Sequence, residues 1–100
     1  MAKFLTLWEM DMTQMPVDPK ERIKCEAMLA NMVKEDLKKG FTLDWGMFAG
    51  GELGGYAICE GTEQQITLEN LKYSPFIKYI KISPILSISQ VEEIIEKSQG

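Results

Sequence analysis

Ile77-Lys78-Tyr79-Ile80-Lys81-Ile82-Ser83-Pro84-Ile85-Leu86 reads as a β-strand, with Ile80 and Ile82 on one face and Tyr79, Lys81 and Ser83 on the other. Pro84 has no N–H to give to a ladder, so the strand belongs at the edge of its sheet. Downstream, Ser89-Gln90-Val91-Glu92 has the spacing of a capping box and predicts a short terminal helix through Ile94 and Ile95. Upstream, Ser74-Pro75 closes another short helix, opened by the box Thr62 to Gln65 and carrying Ile66, Leu68 and Leu71. Thr62, Thr67 and Asn70 weaken it, being poor helix formers.

Further outward, residues 41–49 alternate Phe41, Leu43, Trp45 and Met47 against Thr42, Asp44, Gly46 and Phe48, and residues 56–60 resume a strand after the glycines from Gly50 to Gly55. The pair predicts a hairpin. The glycine cluster lies between strands and opens no helix, so it is no phosphate cradle. A long helix over 19–39 is marked by Asp18 as cap, Pro19 at the first position, Glu21 completing a capping box, Lys38 and Lys39 in the last turn, and Gly40 as the stop. At about 100° per residue its core face is Ile23, Ala27, Leu29, Ala30, Val33 and Leu37, with Cys25, Met28 and Met32 on a flank. The first strand, residues 3–11, sets Phe4, Thr6, Trp8 and Met10 against Leu5, Leu7 and Glu9.

The resulting order, strand-helix-strand-strand-helix-strand plus a short C-terminal helix, is that of the ferredoxin-like α+β fold: an antiparallel four-stranded sheet with both crossover helices on one face. One hundred residues make one such domain, residues 1–100. The strands are apolar on both faces, and two helices cover only one. A homodimer that buries the second face sheet against sheet is therefore expected.

The chain carries 15 acidic and 11 basic residues for a net charge of −4, interspersed rather than gathered, which gives no nucleic-acid footprint. No run is long enough to span a bilayer and the N-terminal stretch is no signal peptide, so a cytoplasmic protein away from membranes is expected. Histidine is absent, and Cys25 and Cys59 are too far apart in sequence for a CxxC motif, so no metal or other cofactor is expected and both thiols read as buried.

Gly54-Gly55-Tyr56-Ala57-Ile58-Cys59-Glu60-Gly61-Thr62, Tyr73-Ser74-Pro75-Phe76 and Ile80-Lys81-Ile82-Ser83-Pro84-Ile85-Leu86 together resemble a family of short uncharacterised prokaryotic proteins in the dimeric α+β-barrel superfamily. The resemblance covers most of the chain and implies fold and dimerisation. Superfamily relatives include cofactor-free monooxygenases, muconolactone isomerase and haem-dependent enzymes, but the histidines that haem-dependent members use are missing here.

Polar groups on otherwise apolar strands are the candidate ligand contacts: Asp44, Tyr56, Tyr79, Lys81 and Ser83, with Trp8 or Trp45 walling a cleft between the sheet faces. The expected function is that of a small-ligand binding or sensing homodimer with an apolar cleft. A cofactor-free enzyme, isomerase or monooxygenase-like, on a small hydrophobic substrate is the alternative, and a structural interaction module a third; no catalytic residue stands out.

Overall fold

The computed structural model describes residues 2–50 and 52–99. Its elements are β1 (Lys3–Met10), α1 (Pro19–Lys39), β2 (Thr42–Met47), β3 (Gly54–Glu60), α2 (Glu63–Leu71), β4 (Ile77–Ile85) and α3 (Ile88–Gln99). The four strands form one sheet in the order β2-β3-β1-β4, and every neighbouring pair is antiparallel. β4, with Pro84, is an edge strand, where a missing N–H is tolerated.

Helix α1 begins and ends where its capping residues dictate. Asp18 Oδ2 accepts the Glu21 N–H at 3.1 Å, Pro19 occupies the first turn, and Gly40 takes the left-handed conformation at φ 81° while its N–H donates to the Leu37 carbonyl. The box expected there is only half made, because the Glu21 side chain goes to Lys24 rather than back to the cap. In α2 both halves are present, Gln65 N–H to Thr62 Oγ1 at 3.2 Å and Thr62 N–H to Gln65 Oε1 at 2.8 Å. At α3 the box is made by Ser87 and Gln90, two residues ahead of the expected Ser89, so the helix starts at Ile88.

The buried stripe of α1 differs from the expected one. Cys25, Leu29 and Asp36 are buried with Met32 and Val33 half-buried, whereas Ile23 is 65% and Leu37 41% exposed. The helix is turned by roughly a quarter of a revolution relative to a reading by hydropathy. The reason is a polar contact that hydropathy counts as a cost: Tyr73 Oη donates to Asp36 Oδ2 at 2.5 Å, both groups being buried. Satisfying that carboxylate inside turns Leu29 and Cys25, two and three turns away on the same stripe, toward the core as well.

Two apolar clusters pack on the helix side of the sheet. Phe4, Ala57, Cys59 and Ile66 form one with Phe41, under α2. Met15, Cys25, Leu29 and Tyr73 form the other with Met10, Met32, Val33, Phe76 and Ile77, under α1. Phe4 and Met10 belong to opposite ends of the same face of β1; between them lie Thr6 and Trp8. On the other face Leu5, Leu7, Tyr56, Ile58 and Ile85 are half-buried by their sheet neighbours alone.

Candidate functional site: a cleft between the first helix and the sheet

Between the two clusters the structure leaves a cleft of about 470 Å³ bounded by the sheet on one side and α1 on the other. This is within the range of roughly 300–1,000 Å³ typical of small-molecule pockets. Trp8 and Trp45 form its sheet wall, their rings stacked at a centroid distance of 5.3 Å and an interplanar angle of 15°. Trp8 is fixed by its indole N–H, which donates to the Tyr56 carbonyl at 3.2 Å. Gly55 lies opposite Trp8 across the ladder, and a Cβ there would come within 2.7 Å of the Trp8 ring and 2.0 Å of the Gly46 carbonyl oxygen. Only hydrogen fits, so Gly54 and Gly55 serve strand β3 rather than the turn.

Leu29, Ala30 and Val33 of α1 make the opposite wall, and Met12, Met47 and Leu53 rim the mouth. Part of the apolar stripe that the sequence assigns to the core therefore faces this open space. Ala30 keeps the slot wide, and the methionines offer soft thioethers suited to aromatic neighbours.

The polar groups of the cleft are few. Thr6 is fully buried and donates to the Ala57 carbonyl at 3.3 Å. Cys59 Sγ and Thr42 Oγ1 lie 3.9 Å apart. Asp36 accepts from Tyr73. Tyr79 enters from β4, and its hydroxyl makes no hydrogen bond among the described residues. Asn70, one turn beyond the buried anchor Ile66 on α2, is 8% exposed, and its amide nitrogen has no hydrogen-bond partner among the described residues.

Protonation in this region follows from burial. Desolvation pushes the Tyr79 hydroxyl well above its ordinary value, with the Cys59 and Asp36 charges adding to it. Burial raises Tyr73 likewise, helped by its hydrogen bond to Asp36. The Cys59 thiol is also pushed up by burial, against the opposing hydrogen bond from Thr42. At neutral pH the two phenols and the thiol are neutral, and the cleft presents them as donors rather than as bases or nucleophiles.

Of the residues singled out from sequence, Trp8 and Tyr79 line this cleft, as does Trp45. Asp44, Tyr56, Lys81 and Ser83 are on the opposite face of the sheet. Tyr56 lies across Gly46 there and donates to Asp44 Oδ2 at 3.0 Å, while Lys81 and Ser83 flank Leu7 and Leu5. The separation of Tyr79 from Lys81 and Ser83 has a single cause. The β1–β4 register shifts between Leu7 and Trp8, whose partners are Lys81 and Tyr79, so Ile80 is an unpaired extra residue. Such a bulge reverses the alternation beyond it. A second shift, between Thr42 and Asp44, puts Trp45 with Thr42 on the cleft side and Asp44 behind it.

Asn70, Asp36 and Tyr73 were not among the candidates. Asn70 carried one usable signal: a poor helix former placed four residues after Ile66, on the same helical face. Among the described residues no helix is long and apolar enough to cross a membrane. Set against protein-family models and against curated proteins, the sequence finds no match.

Proposed function

We propose that this chain binds a small, largely apolar molecule in the cleft between α1 and the sheet, and that it works as a homodimer of ferredoxin-like subunits. The observation that carries the first part is the cleft itself, apolar on both walls and lined by Asn70, whose buried amide nitrogen has no partner among the described residues. A cleft of this volume, apolar on both walls with a few polar groups at one end, is the kind of space a small ligand fills. Binding is favoured over catalysis because Tyr73, Tyr79 and Cys59 are all pushed toward their protonated forms and Asp36 is already engaged by Tyr73.

The ferredoxin-like assignment is supported by the strand order. Taken from the β4 edge it is β4-β1-β3-β2, with α1 joining β1 to β2 across β3 and α2 joining β3 to β4 across β1. Dimerisation is supported by the uncovered outer face, where Leu5 pairs with Ile58 and Leu7 with Tyr56. The reading extends to a cytoplasmic location and to membership of the dimeric α+β-barrel superfamily, which the resemblance in sequence implies.

A thermal-shift screen of flat aromatic and lipid-like compounds tests the cleft. A ligand at a hundredfold its Kd stabilises by about 2.7 kcal/mol. Ala30→Trp, which fills the slot from an exposed helix position, is expected to remove the effect, and Lys81→Met on the far face to leave it intact. Compounds that stabilise the Ala30→Trp variant equally, or a screen without any shift, would overturn the proposal.

A further inference from the structure

We infer that the ligand of this cleft is a neutral, flat aromatic molecule bearing a hydrogen-bond acceptor such as a carbonyl oxygen, held at that oxygen by the Asn70 side-chain amide and stacked against the indole wall. The inference rests on the cleft reading above and adds to it the chemistry of the occupant.

Three observations lead to it. Asn70 lines the cleft, and its buried amide nitrogen has no hydrogen-bond partner among the described residues, which is a costly state that native interiors avoid unless something outside the chain supplies the acceptor. Tyr79, which also lines the cleft, adds a second donor, a hydroxyl that makes no hydrogen bond among the described residues. A site that offers donors selects an acceptor. The wall opposite α1 is formed by two stacked indoles, so a planar ring extends an existing stack instead of disrupting packed side chains.

Charge narrows the class further. Asp36, buried at the polar end, and Glu26, at the α1 side, both line the cleft. Arg22, the one cation lining it among the described residues, donates its Nε and Nη2 to the carbonyls of Pro16 and Val17 at 3.2 and 3.3 Å. A carboxylate ligand therefore meets negative charge with the nearest guanidinium already committed. An ammonium head meets the carboxylates of Asp36 and Glu26 but brings only donors to the Asn70 amide, which it leaves without an acceptor.

A matched series separates these statements: naphthalene, 2-acetylnaphthalene and 2-naphthoate, titrated by quenching of the Trp8 and Trp45 fluorescence and by thermal shift. The neutral ketone is expected to bind about tenfold or more tighter than naphthalene, the difference one rescued buried donor makes, and naphthoate to bind more weakly than the ketone. In Asn70→Leu, which keeps the shape and removes the orphan amide, the ketone is expected to fall to the affinity of naphthalene while naphthalene binds unchanged. Should that variant not fold, the wild-type order of the three compounds decides the matter by itself. Equal affinities of ketone and naphthalene, as when a water molecule satisfies Asn70, would overturn the inference and leave the apolar cleft standing. Tighter binding of naphthoate would overturn the charge argument. Absence of binding by all three, to the wild type as to Ala30→Trp, would remove the cleft reading together with the inference built on it.

Discussion

Tyr56, Tyr73 and Tyr79 are the only three tyrosines of the chain, and each has its hydroxyl pushed above the ordinary value, for different reasons. For Tyr73 and Tyr79 the main cause is burial, whereas for the solvent-facing Tyr56 it is the hydrogen bond to Asp44. A group whose folded pKa lies above its unfolded value stabilises the fold fully below the unfolded value, near pH 10, and the contribution is lost as pH rises toward the folded value. Tyrosinate absorbance of the native protein is thus expected to stay low at a pH where the chain in urea is half-ionised, and to rise together with loss of structure. A native titration with all three hydroxyls ionising near pH 10 would contradict the placement of Tyr73 and Tyr79. At this scale the sequence was informative about kind and silent about direction. Aromatic and hydroxyl groups on apolar strands marked Trp8 and Tyr79, but the pairing of Asp36 with Tyr73, 37 positions apart, left no local trace.

The elements are where local chemistry was most legible, because a helix end is decided by a few adjacent residues. Asp18, Pro19 and Gly40 bound α1 as their side chains and backbone preferences require. Asp18→Ala is expected to lower stability by about 1 kcal/mol through loss of the bond to the Glu21 N–H, seen as a shifted denaturant midpoint, with ligand binding unchanged because Asp18 does not line the cleft. An unaltered midpoint would show the cap to be worthless. Where two signals overlapped, the local reading failed. Ser87-Ile88-Ser89-Gln90 and Ser89-Gln90-Val91-Glu92 both fit a capping box, and the earlier one is used. Starting at Ile88 lengthens the helix by two residues. α1 shows the other limit: its ends follow from sequence, but its rotation about its own axis does not, since that depends on which partner meets Asp36.

The whole chain is longer than its size requires. Its radius of gyration is 16.3 Å and its longest dimension 62 Å, against about 13 Å expected for the radius of a compact domain of this length. The excess lies with α3, none of whose residues is buried, although Ile88, Ile94 and Ile95 make part of it apolar. An unburied helix stripe and an uncovered sheet face on one small chain are the features that association removes. Sedimentation at micromolar concentration is expected to give a dimer, and Ile58→Lys on the outer face to weaken it by placing an unpaired charge in the contact. A wild-type monomer under those conditions would refute the pairing. Trp8 and Trp45 are the wrong positions for this test, because both sit on the helix side.

By itself the sequence determined the number, order and ends of the main elements, since caps, proline, glycine and two-residue alternation act over a few positions and need nothing distant. Only the tertiary structure decided which side chains meet in the cleft. Ile80 and Leu43 are each the extra residue of a register shift, and each sends the residues beyond it to the other face. A bulge is set by how β1, β3 and the two edge strands fit one another, over separations of tens of residues. That fit brings Tyr79 to Trp8, sends Lys81 and Ser83 behind the sheet, and gathers Asp36 of α1 with Asn70 and Tyr73 at the end of α2 around one space.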